Sequence, residues 1–161
     1  MALLVHSRWS VMSGMKKILI VEDNADLRDL LTVIIRRLGY EVAIAITGEE
    51  AVEHASAMKP DLILMDIGLP KLNGVEATIR IKADPATKDV PVVILSALPM
   101  SSHGRHAIEA GAVEILQKPV SVPDLEQVLI KCTSTEHKAA TEPIRNSVSA
   151  KRFQQTSNIF H

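Results

Sequence analysis

Aromatic residues are almost absent from this 161-residue sequence: there are four, Trp9, Tyr40, Phe153 and Phe160, and three of them lie near the termini. An interior without rings has to be filled by Ile, Leu, Val, Met and Ala. Cysteine occurs once, as Cys132, which excludes an internal disulfide and fits a reducing cytoplasm. No apolar run approaches the ~18 residues needed to span a bilayer. The opening MALLVHSRWSVMSG lacks both the basic n-region and the apolar core of a signal peptide. Excess positive charge is missing too. From Lys16 to Glu136, 13 Lys and Arg stand against 18 Asp and Glu, a balance of -5 inside an overall -1. These absences argue against membrane insertion and against direct nucleic-acid binding by this stretch. With 47% hydrophobic and 23% charged residues, the composition is that of a soluble globular chain, not a disordered one.

What is present is a regular alternation. Ile18 to Val21 is an aliphatic run of buried-strand length. Leu27, Leu30, Leu31, Ile34, Ile35 and Leu38 follow at helical spacing, and Gly39 sits where a helix-terminating glycine belongs. The pattern then repeats: a strand over Val42 to Ile46, and a helix opened by the capping box Thr47-Gly48-Glu49-Glu50. A strand from Leu62 ends on Asp66 and is followed by a helix near Val75 to Lys82. A strand from Val92 ends on Ser96, with a helix over about Ser102 to Ala110 behind it. Glu114 to Leu116 is a short fifth strand, and Ser121 caps a last helix. Continuous aliphatic strands joined by single helices predict an α/β fold with a parallel sheet covered on both faces. The expected division is a domain over 15–134, preceded by a disordered arm at 1–14 (or an upstream start, with Met15 the initiator). A flexible basic tail is expected over 135–161.

The polar residues fall at the strand ends. Glu22 and Asp23 follow the first strand, Asp66 ends the third, Ser96 ends the fourth, and Lys118-Pro119 follows the fifth. In a parallel sheet these ends share one edge, where open α/β sheets place their ligands. Crowded carboxylates repel one another unless a cation neutralises them. An all-oxygen set suits a hard cation, Mg²⁺ or Mn²⁺. A dianion such as a phosphoryl group then fits between metal and the Lys118 ammonium, with Ser96 as a hydrogen-bond donor to it.

The segments VEDN, LILMDIGLP, VVILSA and LQKP, in this order and spacing, resemble the receiver domains of bacterial two-component response regulators. The resemblance covers about Met15 to Cys132. It implies a doubly wound (βα)5 fold of flavodoxin-like strand order 2-1-3-4-5. It implies that Asp66 accepts a phosphoryl group from a histidine kinase or histidine phosphotransfer protein. Mg²⁺ would be held by Glu22, Asp23, Asp66 and the Gly68 backbone carbonyl. Ser96 matches the switch hydroxyl, with Ala97 beside it, Lys118 matches the active-site lysine, and Lys118-Pro119 matches a peptide bond that is usually cis. The output face would be the fourth helix, fifth strand and fifth helix, read by a downstream protein target, with dimerisation on phosphorylation an option. In this light the chain is a cytoplasmic phosphoacceptor of single-domain type, not an enzyme acting on a separate substrate. One position departs: Ile115 stands where receivers commonly carry Phe or Tyr, the aromatic that in the family usually swings inward with the switch hydroxyl.

Other readings are weaker. A receiver-fold scaffold that is never phosphorylated would not need the five polar positions. A flavodoxin-like flavin binder would want a phosphate cradle after the first strand, where this chain presents carboxylates. A haloacid-dehalogenase-type phosphatase would carry a second aspartate two residues after Asp66, where Gly68 stands. His103 and His106, three apart on a helix, suggest a metal pair but lack a third ligand at suitable spacing. His54 is expected at the surface.

Overall fold

The computed structural model describes residues 14–134; the expected N-terminal arm and basic tail lie outside the described residues. Five strands and five helices alternate: β1 (Lys17–Val21), α1 (Ala25–Arg37), β2 (Glu41–Ala45), α2 (Gly48–Met58), β3 (Leu62–Asp66), α3 (Gly74–Ala83), β4 (Val92–Ser96), α4 (Met100–Glu109), β5 (Glu114–Gln117) and α5 (Val122–Thr133). All strand pairings are parallel, and the order is β2-β1-β3-β4-β5. Among the described residues no helix is long and apolar enough to cross a membrane.

Because successive strand residues point to opposite faces, each strand feeds two cores. Ile18, Ile20, Leu62, Leu64, Val93 and Leu95 pack with Leu31 and Ile35 of α1 and with Leu125, Val128 and Leu129 of α5. Leu19, Val21, Ile63, Met65, Val92 and Ile94 face α2, α3 and α4 on the other side. That second layer is met largely by alanines, Ala51, Ala55, Ala77 and Ala107, all fully buried. Large strand residues against small helix residues fill the space that rings would otherwise take.

The helix ends explain the boundaries. Asn24 caps α1 by accepting from the Leu27 N–H at 2.9 Å, and Gly39 leaves the helix at φ 92°. The capping box expected at Thr47 is only half formed. Thr47 accepts from the Glu50 N–H at 3.1 Å, but the Glu50 carboxylate reaches the N–H of Ile46 instead. That contact draws Ile46 into the turn, so β2 runs from Glu41 to Ala45, one residue earlier than expected. A complete box forms at α3, where Asn73 and Glu76 bond each other's backbone. The helix α4 starts at Met100 rather than near Ser102, on Pro99, whose φ of -57° suits a helix entry.

Candidate functional site

The strand order puts β1 and β3 side by side at the centre. Their following helices, α1 and α3, leave to opposite faces, which opens a crevice beyond the strands' carboxyl ends. Glu22 and Asp23 enter it from β1, Asp66 from β3, Ser96 from β4 and Lys118 from β5. Glu22, Asp66 and Ser96 are buried, and Asp23 is exposed. One carboxylate oxygen from each of Glu22, Asp23 and Asp66 lies within 4.8 Å of the others.

Lys118 bridges the two buried acids. Its Nζ donates to Glu22 Oε2 at 2.7 Å and to Asp66 Oδ1 at 3.0 Å. Burial by itself would pull the ammonium's pKa down. The hydrogen bonds to Glu22 and Asp66, together with their charges, outweigh that and hold it above the ordinary lysine value. Glu22 is held at its other oxygen by the Asn24 N–H, 3.1 Å away. Asp66 Oδ1 also accepts from the Gly68 N–H at 3.2 Å, so Gly68 sits directly beside that carboxylate. Among the described residues no hydrogen bond reaches the Asp23 carboxylate. Three carboxylates and one ammonium leave the crevice a formal charge of -2, the complement of a divalent cation.

Ser96 lies at the crevice but is turned to its own loop: Oγ donates to the Leu98 carbonyl and accepts from the Leu98 N–H, both at 3.1 Å. Ala97 is exposed beside it. The Lys118-Pro119 peptide is cis, and the Lys118 N–H is paired with the Ser96 carbonyl at 2.8 Å. Ile115 is half-buried against the core and borders, with Ile94, Ser96, His103 and Ala107, a cavity of about 10 Å³, room for one water at most. His103 and His106 line an open groove between α3 and α4 of about 400 Å³, opposite Val75 and Glu76. His54 is half-buried, not at the surface as expected, and its Nδ1 is enclosed without a partner.

Two residues that shape the site carry no strong mark in the sequence. A Cβ on Gly74 would collide with the Asp66 carbonyl oxygen, so only glycine lets α3 start against the back of Asp66. The Asn-Gly pair ahead of a helical pattern was its one available sign. Arg28, a turn into α1, reaches back to the carbonyls of Glu22 and Asp23. Nothing in its spacing singles it out from other helix arginines.

Comparison with known proteins identifies the class. The response regulator receiver domain pattern matches residues 18–130. The chemotaxis protein CheY of Thermotoga maritima is 40% identical over 118 residues, covering 72% of this chain and 96% of that protein. The polar-differentiation response regulator DivK of Brucella anthropi is 37% identical over 108 residues, 67% of this chain and 88% of that one. Among solved structures, the receiver domain of a Pseudomonas aeruginosa sensor histidine kinase superposes with a TM-score of 0.70 at 32% identity. It covers 74% of this chain and 98% of its own, and it holds a magnesium ion in its active-site cleft. The chain therefore belongs to the response regulator receiver domain family of two-component systems, and it has that family's five-stranded 2-1-3-4-5 fold.

Proposed function

We propose that this receiver, residues 15–134, is a Mg²⁺-dependent phosphoacceptor in a two-component relay, with Asp66 as the acceptor. The observation that carries the reading is Lys118 Nζ, 3.0 Å from Asp66 Oδ1, beside three carboxylate oxygens within 4.8 Å of one another. The donor set fits a hard divalent cation, because every ligand offered is oxygen and the Asp23 carboxylate is committed to nothing else. Glu22, Asp23, Asp66 and the Gly68 carbonyl would hold Mg²⁺, or Mn²⁺, which when bound neutralises charge on the phosphoryl oxygens.

The chain's own residues do the rest. A carboxylate oxygen of Asp66 attacks phosphorus in line. The P–N bond to the donor histidine breaks, and its electron pair leaves on the imidazole nitrogen. Lys118 offsets the negative charge of the transferring group. Ser96 exchanges its bonds to Leu98 for one to a phosphoryl oxygen, which draws the β4–α4 loop inward and biases α4, β5 and α5, the surface offered to a protein target. Donor and target are cytoplasmic proteins in this reading, the donor a histidine kinase or phosphotransfer protein, and the phosphorylated form is open to dimerisation.

A second reading, a receiver-fold scaffold that signals without phosphorylation, draws on Ile115 and the near-filled cavity around it. Intact-mass measurement after incubation with a small phosphodonor and Mg²⁺ separates the two. Gain of one phosphoryl group by the wild type and none by Asp66→Asn is expected. No gain by the wild type, or equal gain by both, refutes the phosphoacceptor.

A further inference from the structure

The acid pair behind β1 is held unevenly. Glu22 is fixed at both carboxylate oxygens, by Lys118 and by the Asn24 N–H. The Asn24 side chain is fixed by the Leu27 N–H. Asp23 lies between them, exposed, and no described residue hydrogen-bonds its carboxylate. Its direction therefore depends on its own backbone.

That backbone is clamped from α1. Helical side chains lean towards the helix N-terminus, and the half-buried Arg28 follows this rule. Its Nη1 donates to the Glu22 carbonyl at 3.1 Å and to the Asp23 carbonyl at 3.4 Å, so one nitrogen spans both peptides of the turn. A permanent cation so near the positive end of a helix dipole is unfavourable in itself. The two carbonyls offset that cost.

We infer that Arg28 is a positioning residue for the metal site: it holds the Glu22–Asp23 turn so that the Asp23 carboxylate faces the crevice. The inference rests on the phosphoacceptor reading, since it concerns the cation which that reading requires. Its consequence has a diagnostic sign. Deleting a positive charge beside a cation site tightens cation binding by electrostatics alone. Releasing the turn weakens it, because outer residues that orient metal ligands carry much of a site's affinity. The two effects oppose, so the direction of the change identifies the cause.

The test uses the full chain, following free Mn²⁺ by electron paramagnetic resonance and adding Mg²⁺ as competitor. In Arg28→Met the Mn²⁺ dissociation constant is expected to rise about tenfold, the low end for loss of a ligand-orienting contact. The Mg²⁺ concentration giving half-maximal labelling by a small phosphodonor should rise in step. Arg28→Lys, which keeps a donor in reach of the carbonyls, should recover most of the loss. Unchanged or tighter Mn²⁺ binding in Arg28→Met overturns the inference. Should that variant melt below the assay temperature without metal, Arg28→Gln is read by the same criterion. A wild type that shows no saturable Mn²⁺ binding sensitive to Asp23→Asn overturns the underlying phosphoacceptor reading instead.

Discussion

Replacing Lys118 with Met removes the ammonium that bridges two buried carboxylates. At distances of 2.7 and 3.0 Å, and at an effective dielectric constant of about 20, the gross attractions are about 6 and 5.5 kcal/mol. Most of that is offset by the desolvation of the ammonium. Breaking a buried ion pair from one side costs about 3–5 kcal/mol net. The Lys118 side chain keeps 17% of its surface in solvent, which screens the pair and lowers the expected loss to about 2–3 kcal/mol. For a domain of this size that is about 8–12 °C in Tm, read by calorimetry in chelator near neutral pH. Divalent cation should narrow the gap. The variant's crevice carries one more net negative charge, binds Mg²⁺ more tightly, and is stabilised more at a given concentration. The pH dependence has a defined sign. The folded pKa of Lys118 lies above the ordinary 10.5, so the pair's contribution is fully present below 10.5 and is lost as pH rises through the folded value. The difference between wild type and variant should therefore hold steady from neutral pH up to 10.5 and close only above it. A Lys118→Met protein as stable as wild type in chelator refutes the reasoning, as does a gap that Mg²⁺ leaves unchanged.

Three further outcomes follow from packing. Gly74→Ala would press its Cβ into the Asp66 carbonyl and should cost about 3 kcal/mol or more in urea unfolding, since neither backbone can yield. Gly68→Ala meets only the Asp66 carboxylate oxygens, at 3.7 and 3.8 Å, so its unfolding free energy should stay within about 1 kcal/mol of wild type. Ile115→Phe has a cavity of only about 10 Å³ to enter; overpacking should destabilise by about 1–3 kcal/mol in the same assay, and a stabilised variant would show that α4 yields freely.

The strand and helix pattern was legible because its causes are local: aliphatic runs, helical spacing, caps at Thr47 and Ser121, and a glycine at 39. The strand-end acids, hydroxyl and lysine were legible for a related reason. Once the sheet is parallel, every strand's carboxyl end falls on one edge, so sequence position alone assigns those residues to a common crevice. The errors were at contacts between neighbouring elements. Glu50 bonding Ile46 rather than Thr47 moved the end of β2, and the packing of α2 left His54 half-buried.

Tertiary structure alone decided how the assembled groups meet. Lys118 lies 96 residues from Glu22 and 52 from Asp66, and no local pattern states which oxygens it bonds. Nor does any pattern state that Ser96 faces Leu98, that Arg28 clamps the turn behind Asp23, or that Gly74 touches the back of Asp66. Periodicity reports which face of an element is buried. The distance between two side chains on different elements depends on the packing of everything between them, and that exists only once the sheet has closed.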